Sequence, residues 1–266
     1  MSSKQEKQYL VFNRLEQIGA IVETDLRKLK HDPFEIFVRM IQPTMWLLIF
    51  GQAMEKSKAV PTGFASYLDY LAPGILAQSI LFIAIFYGIS LIWERDMGIL
   101  HKIMVSPAPR SILIIGRALS AGIRGLPQIA VIYLLSSILG IHIRLEPLAL
   151  LGTITTVLLG GAIFSTFSLI MASFIKKRER FMGLGQLMTM PLFFASNALY
   201  PIVMMPKWLQ LLSIVNPLTY QVNAIRNFMI TGDASFFSLS LDFAISIACF
   251  IALVAIASRV FPKILY

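Results

Sequence analysis

The sequence predicts an all-α integral membrane protein with six transmembrane helices, and three observations predict it. Hydrophobic residues make up 57% of the 266 and charged residues only 14%, far from the roughly half apolar and about one-quarter charged composition of a soluble domain. A helix needs about 20 mostly apolar residues to cross a bilayer, and six such stretches occur, at roughly 34–54, 70–93, 112–139, 148–174, 182–202 and 239–261. Lys and Arg gather in short clusters between these stretches rather than along one face, so the net charge of +9 speaks for membrane topology and against a nucleic-acid partner.

An even number of spans leaves both termini on one side. The segments on that side carry sixteen Lys and Arg and the opposite segments five, with Arg39 and Arg124 inside spans. The positive-inside bias therefore sets both termini in the cytoplasm. The single cysteine, Cys249, lies in the last apolar run, which leaves no disulfide framework or thiolate metal site. The first 30 residues lack the apolar core and small-residue cleavage site of a signal peptide, so the N-terminus is expected to be retained.

Residues 1–33 read as an interfacial unit ahead of a transmembrane domain at 34–266. Val11, Leu15, Ile18, Val22, Leu26 and Leu29 recur every three or four positions, the pattern of an amphipathic helix too polar to cross and suited to the interface. It serves as a surface anchor alone or as an anchor that also touches a cytoplasmic partner. Asp32, Pro33 and Glu35 then read as the N-cap, first and third residues of the next helix.

Between spans two and three runs the cytoplasmic segment Trp93-Glu94-Arg95-Asp96-Met97-Gly98-Ile99-Leu100-His101-Lys102-Ile103-Met104-Val105-Ser106-Pro107. Its centre is expected to form a short helix with Met97, Leu100 and Met104 on one side, ended by the proline. On charge and length alone it is a simple connector. The order Glu94-Arg95, then Gly98, a hydrophobic stretch closing in Ser106-Pro107, and Gly116-Arg117 opening the next span resembles the membrane subunits of the ABC-2 family of ATP-binding-cassette exporters. The likeness extends to Arg124 and Gln128, Ser196-Asn197, Tyr200-Pro201, Pro206-Lys207-Trp208, Asn216-Pro217-Leu218, Tyr220 and Arg226. Within the family it looks most like the daunorubicin-resistance type of drug-exporter permease. Many relatives carry a small residue and an acid after the glycine, where this chain has Ile99, Leu100 and His101.

The resemblance implies a six-span half-transporter that pairs with a second permease, identical or not, and sits on two copies of an ATPase subunit. It makes Glu94, Arg95, Gly98, Leu100, Met104, Ser106 and Pro107 a coupling helix seated in a cleft of that ATPase. It also places ATP and magnesium on the partner, with no cofactor on this chain, and points to the plasma (inner) membrane.

The residues themselves move the energy source elsewhere. Ion-coupled transporters carry ionisable groups at mid-membrane, whereas Asp32, Glu35, Glu55, Asp69, Glu94, Asp96, Glu146, Glu179 and Asp242 fall at or outside the ends of the apolar runs. No G-x-x-x-x-G-K-[ST], H-E-x-x-H or G-x-S-x-G motif occurs, and His31, His101 and His142 sit in separate segments. A secondary transporter or channel without an ATPase is the alternative, and a membrane-embedded enzyme a third reading.

Arg124, followed by Pro127 and Gln128 about a dozen residues into span three, either faces protein or water or snorkels to the cytoplasmic interface. Arg39 is expected to snorkel. Gln42, Gln78, Ser79, Gln186, Thr189, Ser196 and Asn197 mark a candidate route for an amphipathic, drug-like or lipid-like substrate, or else hydrogen bonds between helices. Gly183 and Gly185 would let span five pack closely on a neighbour. Outside, Pro206 and Trp208 start one short helix and Asn216-Pro217 a second that carries Tyr220 and Arg226. The pair either dips into the outer leaflet as a lid or packs the spans together.

Overall fold

The computed structural model describes residues 16–27, 33–58, 60, 63–64, 66–100, 109–231 and 236–261, with backbone alone at 33–37. Among these residues the chain is all-helical, its one extended pairing being a two-residue bridge between Ile143 and Ile230. Helix α1 covers 16–27. Helix α2, Pro33–Met45, passes through a π-helical segment, Trp46–Gly51, into α3, Gln52–Ser57. There follow α4 (Tyr67–Phe86), α5 (Gly88–Asp96), α6 (Arg110–Arg124), α7 (Leu126–Ile138) and α8 (Pro147–Phe174). Helices α9 (Arg178–Phe194), α10 (Lys207–Val215), α11 (Pro217–Met229) and α12 (Leu239–Val260) complete the order.

Among the described residues four helical runs are long and apolar enough to cross a membrane: Tyr67–Asp96, Arg110–Ile138, Pro147–Phe174 and Leu239–Val260. They occupy the expected second, third, fourth and sixth spans. The first expected span is helical but loosens into the π segment just after Pro43, whose missing N–H already weakens the ladder. The fifth is corrected at both ends. Helix α9 starts at Arg178 and stops at Phe194 rather than running from 182 to 202, and its 17 residues reach about 25 Å.

Hydropathy misplaces that end because residues 196–199 are apolar or small and buried in protein while not helical. Their carbonyls have partners: Tyr67 Oη donates to Leu199 O at 2.8 Å and Tyr70 Oη to Asn197 O at 2.7 Å. Asn216 Nδ2 donates to Leu192 O at 2.6 Å and Ala195 O at 2.8 Å, closing the end of α9. A β-carbon on Gly74 would lie 2.4 Å from Ala198 O, so only glycine lets α4 approach this turn.

Helix α8 is the axis of the bundle, with α4, α5, α6, α11 and α12 packed around it. Its contact with α6 is backbone on backbone: a β-carbon on Gly161 would sit 2.5 Å from Cα of Gly122. Small residues supply such approaches in membranes, where van der Waals packing drives association. The break between α4 and α5 at Tyr87 is sealed from α8, since Ser168 Oγ donates to Ile85 O and accepts from Gly88 N at 3.1 Å.

Helix α1 lies on the bundle with Ile21 over Gly116 of α6. Its inward positions are Ile18, Ile21, Val22 and Asp25, while Leu26 is exposed. The expected apolar stripe is thus rotated by the buried Asp25. Val11, Leu15, Leu29 and the Asp32 cap lie outside the described residues.

A Gly161→Val variant is expected to lose about 3 kcal/mol, seen as a lost monodisperse peak in size-exclusion chromatography. Gly183→Ala, with nothing within 4 Å of the added carbon, is expected to elute as the parent does.

Candidate functional site

Three groups of residues carry function-bearing chemistry, one at each level of the bundle. The first is at the end of α5. Glu94 is buried, and Arg117 of α6 donates to its carboxylate at 2.5 Å, both side chains less than one-tenth exposed. A buried pair demands close geometry, because desolvating each ion costs several kcal/mol. Glu94 therefore faces inward and fixes α5 on α6. Arg95 turns the other way, donating to Asp96 at 2.9 Å and to Lys176 O at 2.5 Å. Asp96 also accepts from Arg178 at 2.9 Å, and Arg178 stacks over Trp93 at 3.7 Å. Exposed pairs of this kind contribute little stability, but they tie the ends of α5, α8 and α9 together.

Gly98 adopts φ of +70°, the left-handed conformation that ends helices and suits glycine, and its N–H bonds Arg95 O at 2.9 Å. This corrects the expected continuous helix from Glu94: α5 stops at Asp96, and helical geometry resumes at Ile99. Met97 is exposed and Leu100 fully buried, so they do not share a side. Met104, Ser106 and Pro107 lie outside the described residues.

Beside this end, Tyr87 Oη donates to the buried Asp25 of α1. Arg124 reaches Asp25 O at 3.5 Å and stands 5.3 Å from the centroid of the Tyr87 ring. Arg124 thus packs on protein, on α1 and on the Tyr87 ring.

The second group is a pocket of about 400 Å³ between α2, α4 and α9 that includes Gln42, Gln78 and Gln186. Three of the route candidates, scattered over 145 positions of sequence, thus share one cavity. Ser79 also lines it, with its hydroxyl spent on Ile75 O at 2.8 Å. Phe82, Ile83 and Phe86 form an apolar wall. Gln128 and Asn197 are buried and lie outside this lining, as does Thr189. A β-carbon on Gly185 would lie 3.3 Å from the Phe86 ring, whereas one on Gly183 would meet open space.

The third group closes the opposite end. Asn216 caps α11 by accepting from Leu218 N at 3.0 Å. Arg226 is buried, donating to Asn197 O at 2.9 Å and Tyr70 O at 3.2 Å and lying 3.9 Å over the Tyr70 ring. Carbonyl dipoles and a ring face stand in for a counter-ion. Tyr220 is buried on Ile214 O at 2.6 Å and stacked on Phe237, while Pro206, just ahead of α10, and Trp208 within it are exposed. Asp69 accepts from His142 N at 3.0 Å, and Arg144 N bonds Met229 O at 2.8 Å.

Sequence reasoning missed Asp25 and Tyr87, and it quoted Arg117 without its partner. Opposite charges at the ends of consecutive spans were the available signal for Glu94 and Arg117. Nothing in the sequence signals Asp25.

The ABC-2 type transporter family matches residues 16–230. The transport permease ycf38 of Cyanophora paradoxa is 29% identical over 85% of this chain and 78% of its own length. The daunorubicin resistance ABC transporter permease protein DrrB1 of Streptomyces coeruleorubidus is 24% identical over 82% and 76%. The inner membrane transport permease YadH of Escherichia coli K12 is 23% identical over 74% and 77%.

Breaking the buried pair at one partner is expected to cost roughly 3 kcal/mol or more. Thermal unfolding in detergent should show Glu94→Gln and Arg117→Met each well below the parent, and a Glu94→Leu/Arg117→Met double variant above either. Singles that unfold like the parent would refute the pair's role in holding α5.

Proposed function

The chain belongs to the ABC-2 type transporter family, and on that footing we propose that it is the permease subunit of an exporter, carrying an amphipathic substrate from the cytoplasm on energy from a separate ATPase. It is a transport permease rather than an enzyme, and the family works with an ATP-binding-cassette subunit. The proposal adds two ATPase copies holding ATP and magnesium, and a second permease copy. It places both termini in the cytoplasm of a plasma-membrane protein with α2–α3 and α9 as its two further spans. Residues 1–33 serve as its interfacial unit.

One observation carries this reading: the helices that bring Gln42, Gln78 and Gln186 to one pocket are tied to the cytoplasmic loop. Helix α9 begins at Arg178, which holds Asp96 at the end of α5. A push on residues 96–100 from an ATPase surface is thereby passed to α9, the movable wall of the pocket. The acids Glu94 and Asp69 and Asp242 lie at helix ends and are paired or hydrogen-bonded there, which supports an energy source off the chain. Exposed Met97, Ile99 and Trp93 give that surface an apolar handhold. The substrate reading leans on the pocket's mixed amide and aromatic lining and on the daunorubicin resistance in the name of DrrB1.

Co-expression with an ATP-binding-cassette ATPase encoded in the same genome is expected to yield a stoichiometric complex in detergent. In vesicles, Gly98→Val should insert normally yet lose most substrate-stimulated hydrolysis, because valine resists positive φ. Gln78→Leu should lower export about tenfold, the value of one or two lost hydrogen bonds. Full export by both variants would refute the assigned loop and pocket, and a chain that purifies alone and transports without ATP would favour a secondary transporter.

A further inference from the structure

A carboxamide on an apolar helix is ordinarily spent on another protein group. Asn216, Asn223 and Gln210 follow that rule, donating to Leu192 O at 2.6 Å, Asp242 at 2.6 Å and Met205 O at 2.8 Å. Gln42, Gln78 and Gln186 do not. Among the described residues none of their side chains hydrogen-bonds a protein group, and all three line the same cavity of about 400 Å³. Gln78 is 3% exposed, and its Nε2 is buried without an acceptor. Gln128, Asn197 and Gln221 also have amide atoms without a partner, but they lie outside this lining. What sets the three apart is that they converge on one space.

We infer that this cavity reads an uncharged, hydroxyl- or amide-bearing head group on an amphiphile whose apolar part runs along Phe82, Ile83 and Phe86. This rests on the reading of the cavity as part of the export route and adds the chemistry of the head. Each carboxamide offers one acceptor and two donors, and a half-turn of Gln78 exchanges the end that meets the cavity. The three therefore suit groups that both donate and accept. A charged head is the wrong match, because it would shed its water into a lining with no free counter-charge. Arg39 is the ionisable member of that lining, and it is already engaged within the chain. It also borders the neighbouring cavity together with Arg124 and Glu94, so the charge at that edge is of both signs. Phe82 and Phe86, their ring centroids 6.1 Å apart, follow Gln78 by about one and two turns of α4 and give the apolar part its wall.

The test uses the full chain in lipid nanodiscs, with tritiated dodecyl glucoside as the probe. Dodecyl phosphate and dodecyltrimethylammonium, of equal chain length, serve as competitors. Glucoside binding is expected to saturate, and each charged competitor to displace it about tenfold less well than unlabelled glucoside does. Gln42→Leu, Gln78→Leu and Gln186→Leu should each weaken glucoside binding about tenfold, and the triple variant should lose the preference over charged heads. Gln210→Leu, which removes an amide spent on Met205 O, should bind as the parent does. The comparison of heads on the parent needs no variant, so it decides the matter even where a variant fails to fold. Equal displacement by all three heads, stronger displacement by either charged one, or indifference to all three Leu variants overturns the inference. Each of these leaves the export route standing if Gln78→Leu still lowers export. Normal export by Gln78→Leu with amide-dependent glucoside binding would instead sink the route and keep the head-group site.

Discussion

Inside a bilayer no water is available to the backbone, so every interruption of a helix must find its hydrogen-bond partner within the protein. Much of this fold is arranged around that demand. The break at Tyr87 is met by Ser168 on both sides. The turn after Phe194 is met by Tyr67, Tyr70, Asn216 and Arg226. These polar groups come from helices distant in sequence, so each break also fixes where a neighbouring helix must lie. Glycines do the complementary work, removing side chains where backbones have to touch, as at Gly161 on Gly122 and at Gly74 on the Ala198 turn.

The end of the bundle at α5 and α6 is built on a different balance. A buried ion pair such as Glu94 with Arg117 adds little net stability, since desolvation offsets attraction. What it provides is a single permitted geometry for α5 on α6. The partly exposed charges next to it, Arg95, Asp96 and Arg178, contribute still less energy, yet they link three helix ends into one unit. The Glu-Arg-x-x-Gly order thus has a physical meaning: an inward anchor, an outward tether, and a left-handed stop at Gly98.

Much of this was legible in the sequence. Apolar length revealed four long spans within a few residues, and proline and asparagine signals placed α10 and α11 to within a residue or two. The three glutamines were recognisable because polar side chains on apolar helices are costly. Their convergence was not, since it depends on how α2, α4 and α9 are arranged in space. The end of α9 was misread because hydropathy reports only that a residue avoids water, and a turn buried in protein satisfies that as well as a span does. Asp25 was overlooked for the converse reason. A carboxylate on a surface helix looks solvated until Tyr87 is seen above it. The Glu94 partner was hidden by a sequence separation of 23 residues, and the break at Met97-Gly98 by an apolar run that read as one helix.

The closure of α9 bears on how the chain is made. Helix α9 is short and carries Gln186 and Thr189 in its middle, so its hold in a bilayer is weaker than that of α8 or α12. Asn216, which completes its last turn, and Arg226, which holds the turn beyond it, lie 22 and 32 residues after Phe194. During synthesis those residues are still inside the ribosome when α9 first meets the membrane. The fifth helix therefore has no native ending at that moment. It waits, held by whatever the insertion machinery provides, until α10 and α11 emerge and the later part of the chain anchors the earlier.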